Sequence, residues 1–262
     1  MPARKSRQQR LDHTITVIQH RHGPQALRQG VAPPTSVPHL STGFLQLDEA
    51  LGIGGIPRGK LTVLTGAATS GKRTLATLLL ARAQGHRHLP VAYVDVDHTC
   101  NPDYLERCGV HLPQLLVARP SDGRQALDMA LSLAERREWA AVVFDHWGAL
   151  ASDAQTHRHA VAALDHLGPR LAQSGVTLIV LDEPVSPWQG LLSALGTGSA
   201  ASALGHHAAV RLALRHEDWF WAGPDVRGYR VQVQVQKNKL APAGKTVSLD
   251  IRFNGTVRGD GL

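Results

Sequence analysis

Lys60-Leu-Thr-Val-Leu-Thr65-Gly66-Ala67-Ala68-Thr69-Ser70-Gly71-Lys72-Arg73-Thr74 is the stretch on which the fold turns. A short apolar run predicts a strand over Lys60–Thr65, and the residues from about Gly71 to Gln84 predict a helix. Between them lie two glycines separated by four residues and followed by lysine, the spacing of a phosphate-binding loop. Glycines let successive backbone N–H groups turn inward toward an anion, and the helix N-terminus adds partial positive charge. Lys72 is then placed to reach the outer phosphates. The motif breaks at Arg73, where a hydroxyl should ligate Mg²⁺, because a guanidinium is a permanent cation with no lone pair for a metal. Thr74 is adjacent, but one residue along a helix rotates the side chain by about 100°. Two outcomes stay open: Arg73 points away and leaves Mg²⁺ to water and carboxylates, or it lies beside the phosphates as a surrogate cation.

Working outward, strand-like and helix-like runs alternate. Pro90–Val96, Ala140–Phe144 and Val176–Leu181 read as strands, and Gly123–Arg137 and Ala160–Gln173 as helices. This order predicts an α/β fold, with a mostly parallel central sheet flanked by helices. Ala208–Arg215 and Tyr229–Gln236 alternate apolar with polar residues, so half-exposed strands should close the sheet. Trp219, Phe220 and Trp221 in Asp218–Pro224 fit a hairpin tip or interface patch. Asp145 ends the strand Ala140–Phe144, the position of a Walker B carboxylate that holds Mg²⁺ through water. Asp95 and Asp97 follow another strand and would lie near the phosphates, where a carboxylate could orient an attacking water.

Ahead of the core, Arg4, Lys5, Arg7 and Arg10 form a basic arm. Leu11, Ile15 and Ile18 recur at helical spacing between about Gln8 and Arg21, and Val31–Pro38 is a Pro-rich connector. The expected division is therefore 1–38 as arm, helix and connector, and 39–262 as nucleotide-binding core. With 262 residues, 43% hydrophobic and 19% charged, the chain can bury a large core, and global disorder is excluded. No apolar run suits a membrane span or a secretory signal, and Cys100 and Cys108 cannot form a disulfide framework, so a cytoplasmic location with no membrane partner is expected. A balance of 28 basic against 21 acidic residues, +7, favours acidic partners such as nucleic acid. The pairs His86/His88 and His206/His207 read as surface histidines rather than metal ligands, and no Gly-x-Ser-x-Gly elbow supports a hydrolase.

The arrangement of these parts resembles the bacterial RecA recombinase family over nearly the whole chain. Ser41-Thr-Gly-Phe-Leu-Gln-Leu-Asp48-Glu-Ala-Leu51-Gly-Ile-Gly-Gly55-Ile-Pro57-Arg-Gly59 is similar to that family's lead-in to its core. Ala92-Tyr-Val-Asp95-Val-Asp97-His98, followed by Asn101-Pro102-Asp-Tyr104, resembles the segment bearing the catalytic glutamate and the adenine contacts. The resemblance puts Asp97 in the glutamate's place, Tyr104 on adenine and Asn101 where the family has an acid. It likens the N-terminal helix to a polymerisation arm that docks on a neighbouring subunit. Gln236-Lys237-Asn238-Lys239 matches a motif whose lysines, here Lys237 and Lys239, reach the nucleotide of the adjacent subunit.

From this follow a RecA-like P-loop NTPase core, ATP and Mg²⁺ as cofactors (the metal doubtful because of Arg73), and a role in DNA recombination and repair. Single-stranded DNA and a self-associated or RecA-type filament are the implied partners. The departures set limits. Asp97 is one methylene shorter than glutamate, about an ångström, a misplacement able to cost about 10²-fold. Asp182-Glu183 stands where the family has Asn-Gln, so Glu183 brings a charge to the γ-phosphate sensor. Pro184–Ser202, counterpart of the second DNA loop, has no Lys or Arg, though Trp188, Leu191 and Leu192 could insert or stack. Phosphate attraction would then come from the arm, from Arg158 with His157 and His159, or from Lys237 and Lys239. The segment after Asp145 is short against the first DNA loop, and no counterpart of the family's C-terminal regulatory domain is expected. Arg73, Asp97 and Glu183 together predict weak or absent ATP hydrolysis. The alternative is a non-catalytic adaptor of a translesion-synthesis or SOS assembly, docking on RecA or a DNA polymerase.

Overall fold

A computed structural model describes residues 7–23, 37–151, 154–183, 200–253 and 257–259. The chain divides into two compact units, 1–36 and 37–262. In the first, α1 (Arg7–His22) is a 16-residue helix without an acidic residue in its first turn. It matches the helix expected from Leu11, Ile15 and Ile18.

In the second unit nine of the eleven described strands form one sheet. Its elements, in chain order, are β1 (His39–Leu40), α2 (Leu45–Leu51), β2 (Ile56–Pro57), β3 (Leu61–Thr65), α3 (Lys72–Arg87), β4 (Val91–Asp95), α4 (Pro102–Arg107) and β5 (Leu115–Ala118). They continue with α5 (Gly123–Ala134), β6 (Ala141–Asp145), α6 (Ala154–Ser174), β7 (Thr177–Asp182), α7 (Ala200–His207), β8 (Val210–Ala222), β9 (Asp225–Asn238), β10 (Thr246–Phe253) and β11 (Val257–Gly259). β1 and β2 pair separately; the large sheet runs β11-β10-β9-β8-β3-β7-β6-β4-β5. Six strands from β8 to β5 are mutually parallel, and β9, β10 and β11 add antiparallel.

Every residue of β3, β4, β6 and β7 is buried, as expected of strands covered by helices on both faces. One face packs Leu47 and Leu51 of α2, Leu75, Leu79 and Leu80 of α3, and Val231 and Val233 of β9. The other packs Ala126, Leu127 and Ala130 of α5 with Leu164, Leu167 and Leu171 of α6. The lead-in of 41–59 closes on Asp48, whose carboxylate accepts from Ser41 Oγ (2.6 Å), Thr42 Oγ1 (2.7 Å) and Thr42 N (2.8 Å). Gly55, at φ 152°, leaves no room for a side chain, since a Cβ would sit 2.1 Å from the Leu40 carbonyl oxygen.

Some expectations needed extending. α6 starts at Ala154 rather than Ala160 and runs through Pro169, its apolar stripe outweighing the one donor that proline removes. β8 and β9 are 13 and 14 residues long, joined through the turn Gly223-Pro224. Trp219 and Trp221 lie near that turn and are exposed. β1, α2, β2, α4, β5, α7, β10 and β11 add to the elements that the sequence pattern predicts.

The parallel register brings Thr65 opposite Asp182 and Asp95 opposite Asp145. Four strand ends, each bearing a polar side chain, therefore meet along one edge of the sheet, where α/β folds place their ligands.

Candidate nucleotide site

The loop of 66–71 leaves β3 at Gly66, whose N–H donates to the Asp182 carbonyl oxygen (3.3 Å), and tightens where Ser70 N donates to Ala67 O (3.0 Å). Ala67, Ala68 and Thr69 are exposed. Both glycines are required by space. A Cβ on Gly66 would lie 2.4 Å from Ser70 Oγ and 2.6 Å from the Leu214 carbonyl oxygen; one on Gly71, at φ 85°, would lie 2.9 Å from Val231 Cγ2. Ser70 Oγ is buried and has no hydrogen-bond partner.

Lys72 opens α3 and is 2% exposed. Its Nζ donates to Gly66 O (2.9 Å), to Ala67 O (3.1 Å) and to Glu183 Oε1 (3.0 Å). All three ammonium protons are thus matched, two by the loop's own carbonyls and one by the carboxylate that follows β7.

Arg73 turns the other way, across the ends of β6 and β4. Its Nε donates to Asp145 Oδ2 (2.9 Å), and Nη2 lies 3.4 Å from Asp97 Oδ2. Burial works against the guanidinium's charge, but Asp145 foremost, with Tyr93 and Asp97, holds the Arg73 pKa above its ordinary value. Two neighbours absent from the sequence reading complete this corner. Tyr93 donates its hydroxyl to the same Asp145 Oδ2 (2.7 Å), and its own pKa is pushed up, first by burial and then by Asp145. His146 Nδ1 sits 2.7 Å from Asp97 Oδ1, delivered by a left-handed backbone at φ 72° that is uncommon for a side-chain-bearing residue. Asp145 is 1% exposed, and its Oδ1 has no partner.

Asp95 does not face this corner. Its buried carboxylate accepts from the backbone N–H groups of Thr99 (2.9 Å) and Cys100 (3.2 Å), with Arg119 Nε at 3.4 Å. It ties down the turn after β4, which leaves Asp97 as the carboxylate beside Arg73. Asn101 caps α4, its Oδ1 accepting from Tyr104 N (3.3 Å). The Tyr104 hydroxyl lies 2.7 Å from Thr74 Oγ1, which also accepts from Tyr229 OH (2.7 Å). Tyr104 is therefore joined to the first turn of α3, and Thr74 contributes to that link rather than to the corner of Arg73.

Lys237 and Lys239 lie elsewhere, at the end of β9. Lys237 Nζ donates to Gly205 O and His206 O (both 2.7 Å), closing the C-terminus of α7. Burial, and then Lys239 and Arg211, lower its pKa. Lys239 is exposed. Trp188, Leu191 and Leu192 lie outside the described residues. Among the described residues, no group of three or more His, Cys, Asp or Glu could hold a metal, and no helix is long and apolar enough to cross a membrane. Cys100 and Cys108 are unpaired, with thiols pushed up by burial to about 11 and about 12.

These residues fit the two expected cofactors unequally. The loop is a cradle in which a Cβ would collide, and it contains an orphaned hydroxyl, both of which suit a phosphate. A divalent cation does not fit, since its corner holds a guanidinium hydrogen-bonded to the carboxylate that would carry the metal shell.

The RecA N-terminal domain family matches residues 9–258. Protein RecA of Rubrobacter xylanophilus is 33% identical over 264 residues, 96% of this chain and 76% of that protein. Protein RecA of Acidothermus cellulolyticus is 32% identical over 274 residues, covering 100% and 79% respectively. Protein RecA of Frankia casuarinae is 31% identical over 268 residues, covering 97% and 77%.

Proposed function

Since the chain belongs to the RecA N-terminal domain family, we propose that it is a RecA-like ATP-binding protein of DNA recombination and repair whose hydrolysis is impaired. The single observation carrying this is the Arg73 guanidinium between Asp145 and Asp97, beside a loop that still suits phosphate. The backbone of Gly66–Thr74 and Lys72 hold the phosphates, and Asn101 and Tyr104 line the adenine side.

Asp97 is the residual base for water, but it is engaged twice, by Arg73 and by His146. With one oxygen facing Arg73 and the other facing His146, neither is left free to orient a water. Glu183 adds a negative charge near Lys72 where a neutral amide would sense the terminal phosphate. Single-stranded DNA and a self-associated or RecA-type filament are the partners, with Lys239 the better placed of the two lysines to reach a neighbouring subunit.

Steady-state ATP turnover measured with and without single-stranded DNA tests this. The expected outcome is little or no stimulation, and DNA-stimulated turnover of about 0.1 s⁻¹ or faster overturns it.

A second reading, the non-catalytic adaptor that docks on RecA or a polymerase in an SOS assembly, draws support from Lys72, whose three protons go to Gly66 O, Ala67 O and Glu183. Equilibrium binding of a fluorescent ATP analogue separates the two, since the adaptor should bind none.

A further inference from the structure

We infer that this site takes its nucleotide without a divalent cation, with Arg73 as the fixed counter-charge in the metal's place. The inference rests on the reading that the loop of 66–74 holds a nucleotide, and it adds how the polyphosphate charge is neutralised.

Of the two fates the sequence left open for Arg73, the structure has the inward one. The side chain is only 38% exposed and lies across Asp145 and Asp97. The arrangement is supported from behind on both sides. Tyr93, buried on β4, donates to the same oxygen that receives Arg73 Nε, so Asp145 is held by a second donor besides the guanidinium. His146, in its left-handed backbone, fixes the far oxygen of Asp97. Strained backbone of this sort persists only where the surroundings over-determine it, and it clusters at ligand sites.

The chemistry of arginine makes the replacement persistent. A guanidinium stays charged at any working pH and carries five N–H donors in a rigid fork. The contacts to Asp145 and Asp97 use two of them, leaving donors on a partly exposed edge, at the start of the helix that the loop opens. Arginine forks match phosphate oxygens in pairs. A divalent ion entering the same corner would have to displace a cation from the buried Asp145 carboxylate and remain beside it, like charge against like. Added Mg²⁺ therefore gains little here, whereas in an ordinary phosphate loop it carries much of the neutralisation. Glu183 acts in the same sense: it balances Lys72 while no phosphate is present and must release it when one binds.

Isothermal titration of the full chain with ATP and with ADP, each in EDTA and in Mg²⁺, tests the inference. For the natural protein the dissociation constants in the two buffers should agree within about threefold. Arg73→Thr should bind about tenfold or more weakly in EDTA, ~1.4 kcal/mol, and recover when Mg²⁺ is added. Arg73→Lys, which keeps the charge, should retain metal-free binding to within a few-fold. Strengthening of the natural protein by Mg²⁺ of about tenfold or more overturns the inference while leaving nucleotide binding intact. So does an Arg73→Thr variant that is folded by circular dichroism and binds unchanged in EDTA. Absence of heat with either nucleotide in both buffers instead removes the reading of the loop itself, and the inference with it.

Discussion

The loop of 66–72 and the corner formed by Arg73, Asp145, Asp97, Tyr93 and His146 adjoin each other, yet they have been treated in opposite ways. The loop works through backbone N–H groups, and its requirements are spatial: two positions where a Cβ would collide with a neighbour. The corner works through side chains, and there a guanidinium stands after Lys72 and donates to the Asp145 carboxylate. Backbone chemistry survives side-chain drift because any residue supplies an N–H, provided the two glycines remain. Metal chemistry does not, because one substitution changes charge, donor type and reach together. The same contrast separates Lys72, held by two loop carbonyls and Glu183, from Arg73, held by the buried Asp145 and the exposed Asp97.

Three substitutions would break or sharpen that contrast. Gly66→Ala should have the largest effect. One wall of the space it would need is the Leu214 carbonyl oxygen of β8, which cannot swing aside as Ser70 can. Nucleotide affinity is expected to fall by about 100-fold or more, ~2.7 kcal/mol, by the same titration. Retained affinity would show that the loop's backbone is not what grips the ligand.

Tyr93→Phe should come next. It removes a donor from a buried carboxylate whose other oxygen already has no partner, and leaving such a group short of a hydrogen bond costs about 1–3 kcal/mol. A lower urea midpoint with an unchanged slope checks this, and an unchanged midpoint would mean that Arg73 alone suffices to hold Asp145.

Asp182→Asn should be smallest, and opposite in sign. Burial holds the Asp182 carboxyl above its ordinary range, only partly countered by the Glu183 backbone, Arg211, His146 and Lys72. A raised folded pKa means that the folded chain binds the proton more tightly. The contribution to stability is then present below the unfolded pKa of about 4 and lost as pH rises through the folded value. The amide should therefore raise the thermal midpoint by a few degrees at pH 7, with the gain shrinking as pH falls toward 4. A gain that does not vary with pH would mean that ionisation is not its cause.

Much of this could be read from the chain beforehand. The buried strands β3, β4, β6 and β7 announced themselves as apolar runs, and the loop by its glycine spacing. What escaped did so for identifiable reasons. α4 has six residues and a single buried side chain, Leu105, too little for a helical stripe. β5 is four residues at the edge of the sheet and half exposed, so its pattern is brief and mixed. β10 does alternate, with Val247, Leu249, Ile251 and Phe253 at every second position, and that signal would have found it. Asp95 and Asp97 are indistinguishable by spacing; Asp95 became the turn's anchor because Thr99 and Cys100 fold their N–H groups onto it. Tyr93 sits in a fully buried strand, where an aromatic residue reads as core, and nothing local tells that its hydroxyl crosses to Asp145.

The sequence by itself determined the α/β order, the glycine spacing of the loop after β3 and the arginine that follows Lys72, because each is local: a period, a spacing, one residue type after lysine. Only the tertiary structure decided where Arg73 points and what surrounds it. That choice depends on carboxylates 24 and 72 residues away, brought within reach by the parallel register of β4 and β6. The free energy of a guanidinium is set by the charges and burial around it, and these do not exist until the sheet is assembled.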